Sequence, residues 1–252
     1  MKLANLIIIT SILIALKYII VARKMKNHNF KPDIIISPCG LYGLYNMGIC
    51  HYVRNHFHIN DKKIAGLSSG SFNSIFLCLD KKSATRMLKE TFKLNNKHSN
   101  NIKRYAENII ISMNKNFSID DIKNKNLYIG MSHSDDLVFY HNFKTMEQLM
   151  KCCIGSSFVP GVTYRNLIHF YNDRYALDGA LWYRHYKKYI DTDKTLVISP
   201  KLFNRYRNGN IIYESLLRKN FNLYQMYLNG YHDARKNHKY FTRFLTERSA
   251  RI

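Results

Sequence analysis

The residues best suited to covalent chemistry lie in the segment GLSSGSFNS, which runs from Gly66 to Ser74. This segment places Ser68 in a G-x-S-x-G pattern, with a glycine two positions away on each side. A serine nucleophile on a sharp strand-to-helix turn needs small residues at those positions, because larger side chains collide in the turn. The pattern alone is a weak signal, since serine and glycine are common in loops.

The flanking sequence favours a strand before Ser68 and a helix after it. A short apolar run lies near Ile64, and the segment SFNSIFLCL continues as an apolar helix to Leu79. Such a helix directs its first N–H groups and the positive end of its dipole towards the serine. Negative charge that develops on the serine is therefore stabilised.

A second glycine-rich turn precedes the serine. The run DIIIS (Asp33–Ser37) is typical of a buried strand, and the following PCGLYGLYNMGIC leads into a predicted helix. The carboxyl ends of adjacent parallel strands form the ligand crevice of an open α/β sheet. We therefore expect backbone N–H groups near Gly40 and Gly43 to face the same crevice as Ser68, where they could hold an oxyanion.

A nucleophilic serine also needs a base. Histidines follow it at His185, His232 and His238, as in serine–histidine–aspartate triads, but the chain has room for only two strands before the serine. Asp178, in the turn LDGAL at the predicted end of a strand, is the stronger candidate. A carboxylate there can take the serine proton directly, so the sequence predicts a Ser68–Asp178 pair.

The order of the predicted elements indicates an α/β domain with a largely parallel sheet. After the two strand–turn–helix units come a polar, helix-rich stretch (81–125) and strands at Asn126–Ser132 and LVFY. A helix over TMEQLMKCCIG and a loop over FVPGVTY follow. Tyr175–Tyr183 is predicted as a strand ending at an Asp-Gly turn, and Thr195–Pro200 as another buried strand. The remaining chain (201–252) reads as helical and basic.

An apolar run at the N-terminus predicts a membrane anchor. It extends from Leu3 to Ala22, twenty residues and about the span of a bilayer core. Basic residues follow at Arg23, Lys24 and Lys26, so the positive-inside rule places the remaining chain in the cytoplasm. A cleaved signal peptide or a core helix are the alternatives, although the run ends in basic residues instead of the small residues of a cleavage site.

Charge and cysteine content limit the classes of function. The chain has 39 Lys+Arg against 17 Asp+Glu, a formal net charge of +22, which favours anionic lipid headgroups or nucleic acid as partners. Its five cysteines include no C-x-x-C pair, which argues against a zinc site and predicts reduced thiols in a cytosol-facing domain.

Three segments, in order, resemble the signatures of the patatin-like phospholipases. The segment SPCGLYGLYNMG is similar to the family's glycine-rich oxyanion loop, GLSSG to its G-x-S-x-G elbow, and DGA to the D-G-[GA] turn that carries its aspartate. KCCIGSSFVPGVTY stands where the family has an A-S-x-x-x-P segment. The first loop and YLNGYHDARK (Tyr227–Lys236) most resemble the adiponutrin and adipose triglyceride lipase branch. The resemblance extends over about Asp33 to Lys236.

The resemblance implies a three-layer α/β/α fold with a mostly parallel sheet and a lipid acyl hydrolase that needs no cofactor or metal. It makes Ser68 the nucleophile and Asp178 the general base. The implied oxyanion hole consists of the backbone N–H groups of Cys39, Gly40 and Leu41. The glycines of the three motifs are Gly43, Gly66, Gly70 and Gly179.

Two positions depart from the family pattern. Pro38 replaces the first glycine of the loop and removes one N–H donor. Tyr42 stands where a Lys or Arg usually precedes the last glycine, although the triglyceride lipase branch shares a non-basic residue there. These departures keep a second interpretation open, in which the chain is a weak or inactive lipid-binding scaffold, or an acyltransferase.

The predicted organisation has three parts. Residues 1–26 form the anchor and its basic flank, 33–236 the hydrolase domain, and 237–252 a basic C-terminal tail. The expected partners are membrane lipids, both as substrate and as an anionic surface. Nucleic-acid binding is supported only by the charge, and the anchor and the three motifs argue against it.

Overall fold

The computed structural model describes residues 30–98, 102–134, 136–164, 166–181, 187–206 and 222–248. The predicted anchor, Leu3–Ala22, lies outside these residues. Among the helices that are described, none combines the length and the apolar character needed to cross a bilayer.

The described part of the chain is an α/β domain built on a five-stranded sheet. Its strands are β1 (Ile34–Ile36), β2 (Ile64–Leu67), β3 (Leu127–Ser132), β4 (Leu137–Tyr140) and β7 (Leu196–Ile198). Strand order is β4-β3-β2-β1-β7, and all neighbours are parallel except β3 and β4. This confirms the prediction of a mostly parallel sheet. A separate hairpin pairs β5 (Phe170–Tyr171) with β6 (Arg174–Tyr175).

Strand register brings the two glycine-rich turns to one edge of the sheet. Ile36, the last residue of β1, pairs with Gly66 near the end of β2. Leu67 in turn pairs with Gly130 of β3. The segments that follow β1 and β2 therefore leave the sheet side by side, at its carboxyl edge.

Seven α-helices are described. They are α1 (Gly43–His56), α2 (Gly70–Cys78), α3 (Lys81–His98), α4 (Ile102–Asn116), α5 (Met146–Ser156), α6 (Leu223–Lys236) and α7 (His238–Phe241). Short 3-10 helices occupy Gly40–Tyr42, Ile119–Asp121 and Lys187–Tyr189.

The two faces of the sheet are covered differently. All seven α-helices contribute side chains to one core cluster, which includes Ile34 and Ile36 from one face of β1. The opposite face presents Ile35, which is fully buried in a smaller cluster with Tyr189 and Phe30. The described α-helices therefore pack on one face of the sheet.

Helices α1 and α6 pack at very short distance because both have glycine at the contact. A Cβ atom at Gly48 would lie 2.1 Å from the carbonyl oxygen of Tyr227, and one at Gly230 would lie 2.0 Å from that of Tyr45. Asp233 of α6 accepts a hydrogen bond from the Tyr45 hydroxyl, at 2.9 Å. Helix α1, which follows the predicted oxyanion loop, is thus held by helix α6 near the C-terminus of the described chain.

The predicted strand Tyr175–Tyr183 is shorter than expected. Regular pairing ends with Tyr175, and Leu177 forms only an isolated bridge to Ser132. The chain then turns, because the Leu181 N–H donates to the carbonyl of Asp178, at 2.9 Å. Residues after Leu181 in this segment lie outside the described part of the chain.

Candidate active site

Ser68 lies on a strained turn between strand β2 and helix α2. Its backbone φ is 53°, in the left-handed region that non-glycine residues rarely adopt. A Cβ atom at Gly66 would lie 2.5 Å from the carbonyl oxygen of Gly70, and one at Gly70 would lie 2.5 Å from that of Ile36. Only glycine fits at both positions of the G-x-S-x-G pattern.

The strained backbone of Ser68 is held by hydrogen bonds on both sides. Its N–H donates to Ser156 Oγ at 2.9 Å, and its carbonyl accepts from the N–H of Ser71 at 3.0 Å and from the Ser71 hydroxyl at 2.6 Å. A left-handed non-glycine residue costs about 1–3 kcal/mol, so the elbow persists because the surrounding structure determines it.

The structure brings Ser68 and Asp178 together. The Ser68 hydroxyl donates to Asp178 Oδ2 at 2.8 Å, although the two residues are 110 positions apart in the sequence. Asp178 follows Leu177, whose bridge to Ser132 places it at the carboxyl edge of the sheet. This distance lies within the range in which a carboxylate can take a proton directly from a hydroxyl.

Asp178 is positioned by its backbone and by one oxygen of its carboxylate. Its N–H donates to the carbonyl of Phe158 at 3.0 Å, and its Oδ1 accepts from the N–H of Ala180 at 2.7 Å. Gly179 is required next to it, because a Cβ atom there would lie 2.8 Å from the carbonyl oxygen of Gly130. Oδ2 is thereby directed to Ser68.

Burial raises the pKa of Asp178 to about 6, against the opposing effect of the hydrogen bonds from Ala180 and Ser68. A base accepts protons most effectively when its pKa lies near the working pH. The environment of Asp178 therefore makes it a better proton acceptor than an exposed aspartate.

Of the three candidate histidines, the two that the structure describes make their contacts away from Ser68. His232 lies exposed on α6. His238, on α7, is engaged by the Tyr52 hydroxyl at 2.8 Å and by Glu247 at 2.9 Å. His185 lies outside the described residues.

The predicted oxyanion loop, Cys39–Gly43, lies against the elbow. Gly40 has a φ of 51°, and Cys39 Sγ lies 3.0 Å from Ser69 Oγ. The carbonyl of Gly43 accepts from the side-chain amide of Asn73 on α2 at 3.0 Å. Leu41 lies inside the 3-10 helix of this loop.

Two N–H groups of the loop have no acceptor within the described part of the chain, those of Cys39 and Gly40. Donors without an internal acceptor are what an oxyanion hole requires. Burial raises the pKa of the Cys39 thiol to about 12. The thiol therefore stays protonated, and Cys39 offers its N–H and not a nucleophilic sulfur.

Ser156, at the end of α5, is a site residue that sequence reasoning missed. Its hydroxyl accepts from the N–H of Ser68 and donates to the carbonyl of Gly130 at 2.6 Å. Its own carbonyl accepts from the N–H of Gly179 at 2.7 Å. Ser156 thus joins Ser68, Gly179 and strand β3. The sequence signal for it is the segment KCCIGSSFVPGVTY, which resembles the A-S-x-x-x-P segment of the family.

No group of three or more His, Cys, Asp or Glu side chains suited to a metal ion occurs among the described residues. All five cysteines are buried free thiols.

No protein-family model matches this chain, and no curated protein matches it in sequence. The function of the site is therefore inferred from its geometry and from the motifs.

Proposed function

We propose that the chain is a patatin-like serine hydrolase that cleaves fatty-acyl esters of lipids with a Ser68–Asp178 dyad. The observation that carries this proposal is the 2.8 Å hydrogen bond from the Ser68 hydroxyl to Asp178, made at a left-handed elbow between a strand and a helix. The order of the three motifs in the sequence supports the same family.

In the proposed acylation step, Ser68 Oγ attacks the carbonyl carbon of the ester while Asp178 Oδ2 takes the hydroxyl proton. The carbonyl oxygen becomes an oxyanion, which the N–H groups of Cys39 and Gly40 and the N-terminus of α2 stabilise. Collapse of the tetrahedral intermediate expels the alcohol, which takes the proton from Asp178. The acyl group remains on Ser68.

Deacylation reverses the roles. Asp178 takes a proton from a water molecule, whose oxygen attacks the acyl carbonyl carbon. The second tetrahedral intermediate expels Ser68 Oγ, and the proton returns to the serine. The fatty acid leaves, and the dyad is restored. With an alcohol in place of water, the same steps make the chain an acyltransferase.

The three-layer α/β/α arrangement belongs to this proposal. The described α-helices pack on one face of the sheet, and Ile35 and Ala65 on the other face are fully buried. Complete burial of that face requires a covering layer, which is consistent with a second layer of helices.

The proposal also includes an N-terminal anchor that holds the catalytic domain on the cytoplasmic side of a membrane. Its support is the apolar run Leu3–Ala22 and the basic residues that follow it. An anchored enzyme stays beside an insoluble substrate, and the net charge of +22 favours anionic membranes.

The proposed function is tested by labelling the full chain in detergent with a fluorophosphonate and locating the adduct by mass spectrometry. We expect a label on Ser68, which Ser68→Ala abolishes and Asp178→Asn slows strongly. Matched controls are Ser112→Ala on α4 and Asp193→Asn on an exposed turn, both of which should keep the label.

A folded wild-type chain that takes no label on Ser68 would contradict the hydrolase proposal and favour the scaffold interpretation. Pro38 supplies no N–H to the oxyanion loop, so Pro38→Gly would then be the first variant to test for a gain of labelling.

A further inference from the structure

Three large apolar side chains are exposed on one short loop beside the site. Leu167, Ile168 and Phe170 are 64%, 57% and 63% exposed. Burying such a side chain stabilises a protein by about 1.5–3 kcal/mol. Three of them exposed to water together therefore leave the protein less stable than if they were buried. Clustered apolar exposure of this kind marks an interaction surface. We call Leu167–Phe170 the apolar loop.

The apolar loop is held in place by the residues that alternate with the exposed ones. The ring of His169 lies 5.6 Å from that of Phe158, and its carbonyl accepts from the N–H of Ala176 at 2.9 Å. Tyr171 is buried, with its ring 4.8 Å from that of Tyr140. Ile168 and Phe170 alternate with His169 and Tyr171 along the chain, so their side chains face outward, and Leu167 is exposed directly before them.

The same contacts connect the apolar loop to the dyad. Phe158, whose ring contacts His169, accepts a hydrogen bond at its carbonyl from the N–H of Asp178. Phe170 pairs with Tyr175, three residues before Asp178. Phe158 therefore connects the apolar loop directly to the base, and whatever binds the loop lies close to the site.

The sequence of residues 160–190 is basic, which favours an anionic lipid surface as the occupant of the apolar loop. Residues 160–190 contain five basic residues against two acidic ones, in a chain whose net charge is +22. The basic residues are Arg165, Arg174, Arg184, Lys187 and Lys188, and the acidic ones are Asp173 and Asp178. Apolar side chains flanked by cationic residues are the pattern of proteins that dock in the interface of anionic bilayers.

We propose that Leu167, Ile168 and Phe170 insert into the surface of an anionic lipid bilayer and hold the Ser68–Asp178 site against it. Insertion buries the three side chains among acyl chains, and the positive charge of the chain attracts it to the anionic headgroups. Delivery of substrate from that surface rests on the proposed hydrolase function, whereas the contact with lipid does not.

The lipid contact is tested with a single tryptophan at the apolar loop. The chain has one tryptophan, so Trp182→Phe combined with Phe170→Trp leaves one fluorophore at position 170. The matched control combines Trp182→Phe with Ile111→Trp, since Ile111 is 61% exposed on α4. Both full chains are reconstituted into vesicles of equimolar phosphatidylcholine and phosphatidylserine, with and without brominated acyl chains.

We expect tryptophan at position 170 to emit at shorter wavelength and to lose more than half of its intensity to brominated lipid, whereas tryptophan at position 111 is quenched little. Equal quenching at both positions, or none at position 170, overturns the proposal. A dimer that Phe170→Ser converts to monomer in sedimentation would also overturn it, because the loop would then bind a second copy of the chain.

An activity measurement separates this proposal from the hydrolase proposal. The double variant Leu167→Ser with Phe170→Ser should hydrolyse vesicle lipid about tenfold more slowly, because less of the enzyme is docked. Its turnover of a water-soluble short-chain ester should be unchanged. Loss of both activities to the same extent would contradict docking as the cause. A chain without any hydrolase activity would still be tested for lipid contact by the tryptophan measurement.

Discussion

Replacing Asp178 by asparagine should remove activity and stabilise the fold at the same time. The carboxylate is held in a buried position, where its pKa rises from the ordinary 3.8 to about 6. Asparagine has the same shape and no charge. Its amide oxygen can accept from the Ala180 N–H as Oδ1 does, and its NH₂ can donate to the Ser68 hydroxyl, which can rotate to accept.

The sign and size of the effect follow from proton linkage. The unfolded chain loses the Asp178 proton near pH 3.8, and the folded chain keeps it to about pH 6. Between these values the folded state binds more protons, so the free energy of unfolding of the wild type falls as pH rises. Above pH 7, the raised pKa of Asp178 lowers the free energy of unfolding of the wild type by about 3 kcal/mol. Asparagine does not titrate, so Asp178→Asn avoids this loss.

The assay is thermal unfolding of both full chains in one detergent over a pH series. The difference in the free energy of unfolding, Asp178→Asn minus wild type, should grow by about 3 kcal/mol from about pH 4 to about pH 8. This difference raises the Tm of the variant above that of the wild type by about 5 °C or more. Labelling of Ser68 should slow by about 10²–10⁴, the usual contribution of a general base. Asp193→Asn serves as the control for an exposed aspartate.

A stability difference that does not change with pH would refute this reasoning, because it would mean that the Asp178 carboxylate is not desolvated. An unchanged labelling rate would instead refute its role as the base.

Three further predictions concern the same site. The labelling rate of the wild type should rise about tenfold per pH unit up to about pH 6, where the Asp178 carboxylate is half ionised, and then level off. Ser156→Ala should slow labelling by about fivefold, since the N–H of Ser68 loses its acceptor and a bond of this kind contributes about 1 kcal/mol. Ser156→Thr, which keeps the hydroxyl, should restore part of the rate, and an equal loss in both variants would contradict the role of the hydroxyl. Gly70→Ala should destabilise the fold by about 3 kcal/mol in urea unfolding, because the new Cβ would lie 2.5 Å from a backbone oxygen of β1. The control Gly43→Ala should cost far less, because the nearest neighbour of its Cβ would lie 3.7 Å away.

Gly43 and Gly70 show that a sequence motif does not tell which of its glycines are required by packing. The sequence resemblance treats Gly43 and Gly70 alike, as members of family patterns. The structure distinguishes them, because Gly70 lies against the end of β1 and Gly43 has space beside it. Close approach of two chain segments depends on how they pack, which no local pattern records.

The hairpin and the apolar loop illustrate the limits of strand prediction. Tyr175–Tyr183 reads as one strand because it is rich in aromatic and aliphatic residues. In the structure the Asp178 turn breaks the segment, and Phe170, which no pattern marked, is exposed beside it. Whether an apolar residue is buried depends on what the rest of the chain places over it.

The sequence by itself determined the α/β class, the mostly parallel sheet and the turn residues around Ser68. The signals for these features, the spacing of apolar residues, the positions of glycines and the lengths of helices, are local in the sequence. Only the tertiary structure decided that Ser68 and Asp178 meet at 2.8 Å, that Ser156 joins them, and that the carboxylate is desolvated. These properties arise from contacts that are distant in the sequence: Ser68 lies 88 positions from Ser156 and 110 positions from Asp178. Such contacts exist only after the strands have paired and the helices have packed, since both the distance and the dielectric environment are set by the assembled core.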